Sequence, residues 1–533
     1  MLWLIGCTTA NDPGSNPSPT DPPSTGSTVS PSDPTTGSTP TPTTTTDPTD
    51  PTDPTAWPAG PRPLDLNPSC DLPVIPADAV DVTEHGAIPD DGVPDTAAFT
   101  DAIAAAGVGG TIVVPAGRFE LDTAFVPWSG HYAFALLDGQ TLSLDPDAVL
   151  TAVPNALPGS AMIYVDTVRD VTIAGGTLLG DRDDHLGTDG EWGMGIAAYG
   201  AGNLSIRRVR AEGFWGDGFY VGASYYGVLS VDVTVCGVEA VRNRRQGLSV
   251  TAVDGMVIED SVFSDTEGTL PEGGIDLEPD NDTELVKDVV IRHDGFTGNR
   301  TGIYLTALSG VVQGPVDCVV EDNLIEDSRS DGLSLTRGTG NVVQRNVVRR
   351  SGDNGLLLKW SEPFVVTDNT IEDSAVRGME IEAAEEWELG EPSAHTVTAN
   401  RIVRSGAYGV AILWTHDVAF TDNAIADSGD AGLLLLVADR TGVERNAIDG
   451  SGGEGQIELD ASSDATVRDN VVTLGAGDAA YGIWLHGSPT RDNLVEDNVL
   501  TGGYTDEAIR DDGQRTQITG NTTRTAGLRV GRR

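Results

Sequence analysis

The chain has 533 residues with 81 acidic and 32 basic side chains, which gives it a net charge of −49. So much negative charge argues against nucleic acid and anionic membrane surfaces as partners, because both would repel it. The length fits two to four ordinary domains or one elongated array of repeats. The sequence contains no apolar run of about 18 residues or more, so it predicts no transmembrane helix and leaves a lipid anchor as the route to a membrane.

The N-terminal sequence MLWLIGCTTA resembles a bacterial lipobox, in which a lipid is attached to the cysteine, here Cys7. The apolar stretch before it is shorter than that of a signal peptide, and no basic residue precedes it. Residues 8–63 are mostly Pro, Thr, Ser, Asp and Gly, a composition that cannot bury a core. We predict a lipoprotein-like signal remnant over 1–7 and a disordered tether over 8–63. The protein is then exported to the bacterial cell surface or outer membrane, or secreted if the lipobox match is accidental.

A cap is predicted over residues 64–130. Within it, DVTEHGAIPDDGVPDTAAFTDAIAAAGVGGTIVVPAGRFEL (81–121) reads as strand, Gly-Asp loop, helix and strand. Asp95 is a suitable N-cap. The helix has an apolar stripe, made of Ala98, Phe99, Ala102, Ile103 and Ala106. A stacked repeat needs such a cap to cover its open apolar end.

Repeats follow over residues 131–529. The segments CVVEDNLIEDSRSDGLSLT (318–336) and NVVQRNVVRRSGDNGLLLK (341–359) show the pattern, and their asparagines belong to a series with a period near 23: Asn323, Asn346, Asn369, Asn400, Asn423, Asn446, Asn470, Asn498 and Asn521. Each repeat holds three short runs of period-2 alternation, too short for helices. Three strands per coil predict a parallel β-helix of about 12–13 coils, in which the stacked amides hydrogen-bond from coil to coil.

The segment EHGAIPDDGVPDTAAFTDAI…GGTIVVPAGRF resembles the N-terminal signature of the pectate-lyase-like superfamily. Its members include polygalacturonase-type hydrolases, polysaccharide lyases, epimerases and phage tailspikes. The resemblance implies an all-β, single-stranded right-handed parallel β-helix with an N-terminal α/β cap. The polygalacturonase motifs Asn-Thr-Asp, Asp-Asp, Gly-His-Gly and Arg-Ile-Lys are absent at strand positions, and the Tyr-His-Asp set of alginate epimerases is not evident. We therefore transfer no catalytic residue from the superfamily.

A recurring glycine sets a register for the alternating strand that it opens. Two residues further on, side chains should point outward: Ala197, Tyr220, Ser249, Asp276, Tyr304, Ser334, Leu357, Glu380 and Ala411. Four residues on, a second outward column follows: Tyr199, Gly222, Thr251, Glu278, Thr306, Thr336, Lys359, Glu382 and Leu413. Long connections flank these strands, so we predict a cleft for a glycan chain. The predicted substrate-binding residues are Tyr220, Tyr304, Glu382, Trp192 and Trp360.

Five acids crowd residues 276–284, and three interpretations compete. Asp276 and Glu278, with Glu380, could catalyse glycoside hydrolysis as paired carboxylates. Alternatively, calcium could bind through hard oxygen ligands on Asp276, Glu278, Asp280 and Asp282. The third interpretation is a solvated acidic surface on a very acidic protein.

Two other polar residues admit both a chemical and a structural interpretation. Lys359 could be the base of a lyase that removes the proton α to a uronate carboxylate, or it could pair with Glu382 on the next strand. His185, in the acidic run DRDDHLG, could be an acid or a metal ligand, or neither.

Apart from Cys7, the cysteines are Cys70, Cys236 and Cys318, which allow at most one internal disulfide. Cys236 and Cys318 each follow an apolar run and are expected to be small buried thiols.

We predict a tethered monomer whose partner is an extracellular polysaccharide. Hydrolysis is favoured over a calcium-dependent lyase or epimerase. A non-catalytic surface adhesin or glycan-binding protein is the alternative from another class.

Overall fold

The computed structural model describes residues 70–125, 131–307, 314–359, 363–382, 394–474, 479–504 and 506–524. These residues form a 3₁₀ helix (Val82–His85), an α-helix (Thr96–Ala106) and strands in three parallel sheets. The strands follow one another from sheet to sheet along the chain, so each group of three makes one coil. This is the right-handed parallel β-helix that the sequence predicts.

The three sheets run the length of the stack. The first sheet consists of Val80–Asp81, Thr111–Val114, Thr141–Leu144, Thr172–Ala174, Ser205–Arg207, Ser230–Cys236, Val253–Glu259, Val286–Arg292, Val319–Glu321, Val342–Gln344, Val365–Thr367, Thr396–Thr398, Ala419–Thr421, Gly442–Glu444, Thr466–Arg468, Leu494–Glu496 and Gln517–Thr519. The second sheet consists of Gly117–Leu121, Ala148–Ala152, Thr177–Leu179, Arg210–Glu212, Glu239–Val241, Val262–Ser264, Gly295–Thr297, Leu324–Glu326, Val347–Arg349, Thr370–Glu372, Arg401–Val403, Ala424–Ala426, Ala447–Asp449, Val471–Thr473, Val499–Thr501 and Thr522–Arg524.

The third sheet, called the site sheet below, consists of Tyr132–Ala135, Gly159–Asp166, Trp192–Tyr199, Asp217–Gly222, Gln246–Val250, Gly273–Leu277, Thr301–Leu305, Leu333–Thr336, Leu356–Lys359, Met379–Glu382, Val410–Leu413, Leu433–Leu436, Gly455–Asp460, Tyr481–His486 and Ile509–Asp511. In the described residues the first, second and third sheets hold 17, 16 and 15 strands. The stack therefore extends a few coils beyond the predicted count, because the coils between residues 111 and 166 lack the Gly and Asn repeat.

Alternation along each strand turns the apolar side chains inward, where they fill the stack. Ile275 and Leu277, on either side of Asp276, are both fully buried. The register glycines are needed where adjacent coils approach closely. A Cβ on Gly274 would lie 2.5 Å from the carbonyl oxygen of Gly302 in the next coil. Any larger residue there would push the coils apart.

The cap covers the first coils with its helix. Phe99 packs against Phe119 and Phe134, with ring centroids 5.7 and 5.5 Å away, and all three rings are buried. Asp95 precedes the helix as expected, but its side chain does not cap the helix. Its carboxylate instead accepts a hydrogen bond from the backbone N–H of Ile88 at 2.9 Å, because the loop before the helix folds back over it.

The asparagine series forms the predicted ladder. From Asn346 onward, each Oδ1 accepts hydrogen bonds from the backbone N–H and the side-chain amide of the asparagine one coil earlier, as Asn369 does from Asn346 at 2.9 and 3.0 Å. The side-chain amide of Asn369 also donates to the carbonyl of Val343 at 2.9 Å. The asparagines from Asn323 to Asn498 are buried, and Asn521 at the end of the series is half-buried. We conclude that their role is structural.

Ion pairs between successive coils neutralise many surface acids. The pairs occur one coil apart at the corners of the stack and include Arg345–Asp322, Arg350–Asp327, Arg404–Asp373, Arg440–Asp417 and Arg445–Asp422. This arrangement brings opposite charges together even though the whole chain is strongly acidic. These paired acids at the corners of the stack are different residues from the acids of the cavity described below.

The prediction that Cys236 is a buried thiol is wrong, because Cys236 forms a disulfide with Cys70. The two lie 166 residues apart in the sequence, and their Cα atoms are 5.2 Å apart. The segment after Cys70 crosses the outside of the first sheet, where Asp71 pairs with Arg208 at 3.0 Å. Cys318 is a free buried thiol, as expected.

The predicted lipid attachment at Cys7 and the tether over 8–63 lie outside the described residues. In the described part of the chain, neither helix combines the length and the apolar character that a membrane crossing requires.

Candidate functional site

A cavity of about 470 Å³ opens on the outer face of the site sheet. Its walls come from the strands between Tyr132–Ala135 and Gly273–Leu277 and from the connections beside them. The polar and aromatic lining residues are His131, Ser160, Tyr164, Trp192, Tyr199, Tyr220, Arg245, Ser249, Thr251, Asp276, Glu278 and Asp280. The site sheet pairs Tyr220 with Ser249, Ser249 with Asp276 and Asp276 with Tyr304, so the outward column predicted from the glycine register is confirmed.

Asp276 is the most deeply placed acid of the predicted set. Only 2% of it is exposed, although it lies on the outer face of the sheet. Its Oδ2 accepts a 2.7 Å hydrogen bond from the amide of Gln246, and the Gln246 oxygen accepts one from the backbone N–H of Gly273. Among the described residues, its Oδ1 has no hydrogen-bond partner. Burial, and then repulsion from Glu278, raises the pKa of Asp276 well above its ordinary value.

A second buried acid, Asp217, lies two strands away from Asp276. It accepts hydrogen bonds from Ser249 at 2.8 Å and from the guanidinium of Arg245 at 3.1 Å. Burial raises the pKa of Asp217 to about 6, although Arg245 acts against the shift. The guanidinium of Arg245 is thus already engaged, and it lies between the two buried acids.

Glu278 lies two residues after Asp276 and also lines the cavity, where burial raises its pKa. Asp280 lines the outer rim of the cavity and Asp282 is exposed in the loop that follows. In the described chain, no three of the four predicted calcium ligands have oxygen atoms within 4.8 Å of one another. Calcium binding by Asp276, Glu278, Asp280 and Asp282 therefore remains a prediction.

Four half-buried tyrosines form a continuous row that ends in the cavity. Tyr132 stacks on Tyr164 with centroids 4.6 Å apart, and Tyr164 contacts Tyr199 at 5.6 Å. Tyr199 contacts Tyr220 at 5.1 Å, and the Tyr220 hydroxyl hydrogen-bonds to Thr251 at 3.0 Å. Small residues at the neighbouring outward positions, such as Ala161 and Ala197, leave room for the rings.

The structure separates several predicted residues from this cavity. Lys359 lies three strands beyond Asp276 and pairs with Glu382 at 2.6 Å, which is the cross-strand ion pair. Glu380 pairs with Arg377 at 2.7 Å. Tyr304 lies next to Asp276 on the following strand, and Trp192, about half exposed, lines the opposite side of the cavity. Trp360 lies outside the described residues.

His185 has a structural role in its loop. Its Nδ1 lies 2.9 Å from the buried carboxylate of Asp181, and its ring stacks on Trp215 with centroids 4.0 Å apart. Arg244 covers the Trp215 ring at 3.8 Å. The three side chains fasten the insertion 181–192 against the stack, on the side of the cavity that bears Trp192.

The sequence reasoning missed Asp217, Arg245 and Gln246, which support Asp276 from the preceding strands. All three lie just before a register glycine, so an extension of the register toward the start of each strand would have included them. Tyr132 and Tyr164 were missed because their coils lack the repeat. In those coils, the signal that could have placed each tyrosine on the outer face was the alternation of inward and outward side chains along its strand.

The fold and the cavity define a parallel β-helix protein with an acidic, tyrosine-lined cleft on one sheet. The family described as "Periplasmic copper-binding protein (NosD)" matches residues 214–402 and 389–524, more than half of the chain. The chain belongs to this family.

Two curated relatives come from Bacillus subtilis strain 168. The uncharacterized protein YclG is 30% identical over 231 residues, which cover 40% of this chain and 38% of YclG. The SPbeta prophage-derived uncharacterized protein YorA is 29% identical over 248 residues, which cover 42% of this chain and 41% of YorA. The matches thus span about two fifths of these relatives.

Solved structures of low sequence identity share the fold. Pre-mature gene product 12 of bacteriophage phi29 has a TM-score of 0.59 at 14% identity and covers 84% of this chain and 72% of its own. The tailspike of E. coli bacteriophage HK620, solved with a pentasaccharide, has a TM-score of 0.50 at 12% identity and covers 81% of this chain and 78% of its own. At these identities the likeness shows the fold alone.

Proposed function

We propose that the protein hydrolyses a polysaccharide in this cavity, with Asp276 as the proton donor and Glu278 as the second carboxylate. The observation that carries the proposal is a buried carboxyl in the cavity wall, whose Oδ1 has no partner within the described residues. The raised pKa of Asp276 keeps it protonated at a pH where an ordinary carboxyl is ionised. The pentasaccharide bound by the tailspike of similar fold also supports a glycan as the ligand.

In the proposed reaction, Asp276 transfers its proton to the glycosidic oxygen as the bond from that oxygen to the anomeric carbon breaks. Ionised Glu278 accepts a proton from the water that attacks the anomeric carbon, or attacks that carbon itself to form an ester that water then hydrolyses. Gln246 holds the Asp276 carboxyl through Oδ2 and leaves Oδ1 free for the substrate. The partial positive charge that develops on the sugar ring is stabilised by the ionised carboxylates around it.

A lyase or epimerase reaction has less support. The candidate base Lys359 is paired with Glu382 and lies three strands from Asp276. A uronate substrate would also need a cation for its carboxylate, and Arg245 already pairs with Asp217. A non-catalytic glycan-binding role uses the same cavity, and absence of turnover would favour it.

The copper named in the family description does not fit the described residues. Copper sites usually contain imidazole or sulfur ligands. The close groups of three possible ligands in the described part of the chain are Cys70, Cys236 and Glu259, and Asp91, Asp95 and Glu120. The first group has both sulfurs in a disulfide, and the second offers carboxylates alone. We therefore derive no step through copper.

The charge of the cavity favours a neutral or cationic glycan over an acidic one. Asp276, Glu278 and Asp280 line the cavity, and Arg245, the cation in its described lining, is already paired with the buried Asp217. An amino sugar whose nitrogen carries no acetyl group could pair its ammonium with Glu278 or Asp280, whereas a uronate would be repelled.

The proposal can be tested by incubating the purified protein with neutral, partly deacetylated amino-sugar and polyuronate polymers. We expect new reducing ends from the neutral or amino-sugar polymers, without the absorbance of an unsaturated uronate. That absorbance with a polyuronate would instead identify a lyase. Binding of a glycan without any cleavage would favour the adhesin.

Tyr164 provides a test of the aromatic row. Tyr164→Ala is expected to weaken binding of the cleaved oligosaccharide by about 10-fold with little change in kcat, because Tyr164 lies in the cavity wall four strands from Asp276. The matched control is Tyr225→Ala, since Tyr225 is 94% exposed on a loop outside the cavity lining. Equal affinities of the two variants, measured by calorimetry, would contradict a binding role for the row.

Export is also part of the proposal. The family description names the periplasm, and a Cys70–Cys236 disulfide is typical of proteins that fold in an oxidising compartment. Lipid attachment at Cys7 remains a prediction.

A further inference from the structure

Three carboxylates converge in the cap, on the second sheet and away from the cavity. Asp91 lies in the loop before the helix, Asp95 directly precedes the helix, and Glu120 belongs to the strand Gly117–Leu121. One oxygen from each lies within 4.8 Å of the other two. Neighbouring carboxylates at this distance repel one another unless protons or a cation neutralise them.

The arrangement leaves buried oxygen atoms without partners among the described residues. Asp95 is 6% exposed, and its Oδ1 accepts the Ile88 N–H while its Oδ2 accepts no hydrogen bond. The Oε2 of Glu120 and the hydroxyl of Thr151 are likewise buried and unpaired. Thr151 pairs with Glu120 in the sheet register, so its hydroxyl belongs to the same corner of the cap.

Nearby cations do not account for these oxygens. The guanidinium of Arg118 lies 3.6 Å from Oε1 of Glu120, the other oxygen of that carboxylate, and about half of its side chain is exposed. A cavity of about 430 Å³ adjoins the cluster and includes Glu120 and Thr151 in its lining. An ion and its water ligands can therefore reach Glu120 and Thr151 from the cavity, and Asp91 is exposed beside them.

We propose that Asp91, Asp95 and Glu120 bind a calcium ion in the cap. The ligand atoms are hard oxygens, which suit calcium, and its six to eight flexible ligand positions tolerate an irregular set completed by water. Magnesium demands a near-ideal octahedron and fits this loop-and-strand arrangement less well. The ion neutralises the three charges and ties the loop and the start of the helix to the second sheet, which stabilises the cap.

The test is calorimetric titration and thermal unfolding of the full chain, with calcium chloride, magnesium chloride or EGTA. We expect one calcium ion to bind with a Kd of about 10⁻⁴–10⁻³ M. At about 10 mM, calcium should raise the unfolding midpoint by about 2 °C, and magnesium should do so less. Asp95→Asn and Glu120→Gln should each weaken calcium binding by at least about 10-fold.

The variants distinguish a metal site from a protonated carboxyl. Asn at position 95 can still accept the Ile88 N–H but carries no charge. In EGTA, Asp95→Asn should therefore unfold at the same temperature as the parent or higher. The matched control is Asp101→Asn, an exposed acid on the cap helix, which should respond to calcium as the parent does. The proposal is overturned if calcium leaves the parent unchanged, if Asp95→Asn binds calcium with parental affinity, or if Asp95→Asn is less stable than the parent in EGTA.

Discussion

Replacing Asp276 by asparagine is expected to lower turnover of a cleaved polysaccharide by about 10³-fold, because the amide cannot donate a proton to the leaving oxygen. Asn can still accept the hydrogen bond from Gln246, so the fold and the glycan affinity should remain. Turnover is measured as reducing ends released per enzyme, and affinity by calorimetry with the same oligosaccharide. The matched control is Asp282→Asn, an exposed acid six residues further along, which should retain parental turnover.

The same substitution makes a prediction about stability and pH. Burial raises the pKa of Asp276 in the folded state above its value in the unfolded chain. Such a group contributes stability that is fully present below the unfolded pKa, about 4, and is lost as the pH rises through the folded pKa. Asp276→Asn removes that loss, so the variant should be more stable than the parent near neutral pH and lose less stability as the pH rises. Unchanged turnover or a parental dependence of stability on pH would contradict the assignment of Asp276.

Asn369→Ala is expected to lower the free energy of unfolding by about 3–5 kcal/mol, because several buried groups lose their partners together. The backbone N–H and the side-chain amide of Asn346 lose the Asn369 oxygen, and the carbonyls of Val343 and Thr367 lose the Asn369 amide. Denaturant unfolding followed by circular dichroism measures the change.

The matched control for the ladder is Val365→Thr in the same coil. Val365 is 38% exposed at an outward strand position, so the change should stay within about 0.5 kcal/mol. Because a stacked repeat can unfold in parts, hydrogen exchange should locate the loss in the coils next to Asn369. Equal stabilities of Asn369→Ala and Val365→Thr would show that the ladder contributes little.

Much of the fold follows from local sequence pattern. Each coil repeats the same pattern. Alternating apolar side chains fill the inside of the stack, and an asparagine hydrogen-bonds to the equivalent asparagine one coil later. Because each repeat contacts mainly its neighbours, the fold can be predicted from such a local pattern without information on long-range contacts. For the same reason, the glycine register correctly placed Tyr220, Ser249, Asp276 and Tyr304 on successive strands of one face.

The candidate site was predicted less completely than the fold. The register gives the direction of a side chain but not the depth at which it is covered. Asp276 is buried because side chains and connections from other coils enclose it, and Gln246 reaches it from the strand before. Lys359 and Glu380 were assigned to the same strip on direction alone. The structure places them three and four strands away, each with its own ion-pair partner.

The sequence by itself determined the repeat, the direction of each side chain and the overall acidity, because these depend on local alternation and composition. Only the tertiary structure decided which acids meet, which cysteines pair and which carboxyl is buried. Asp217 and Asp276, the acids of the cap, and Cys70 and Cys236 come together through stacking and loop packing across many residues. The distance between two such side chains depends on the whole path of the chain, which no local pattern encodes.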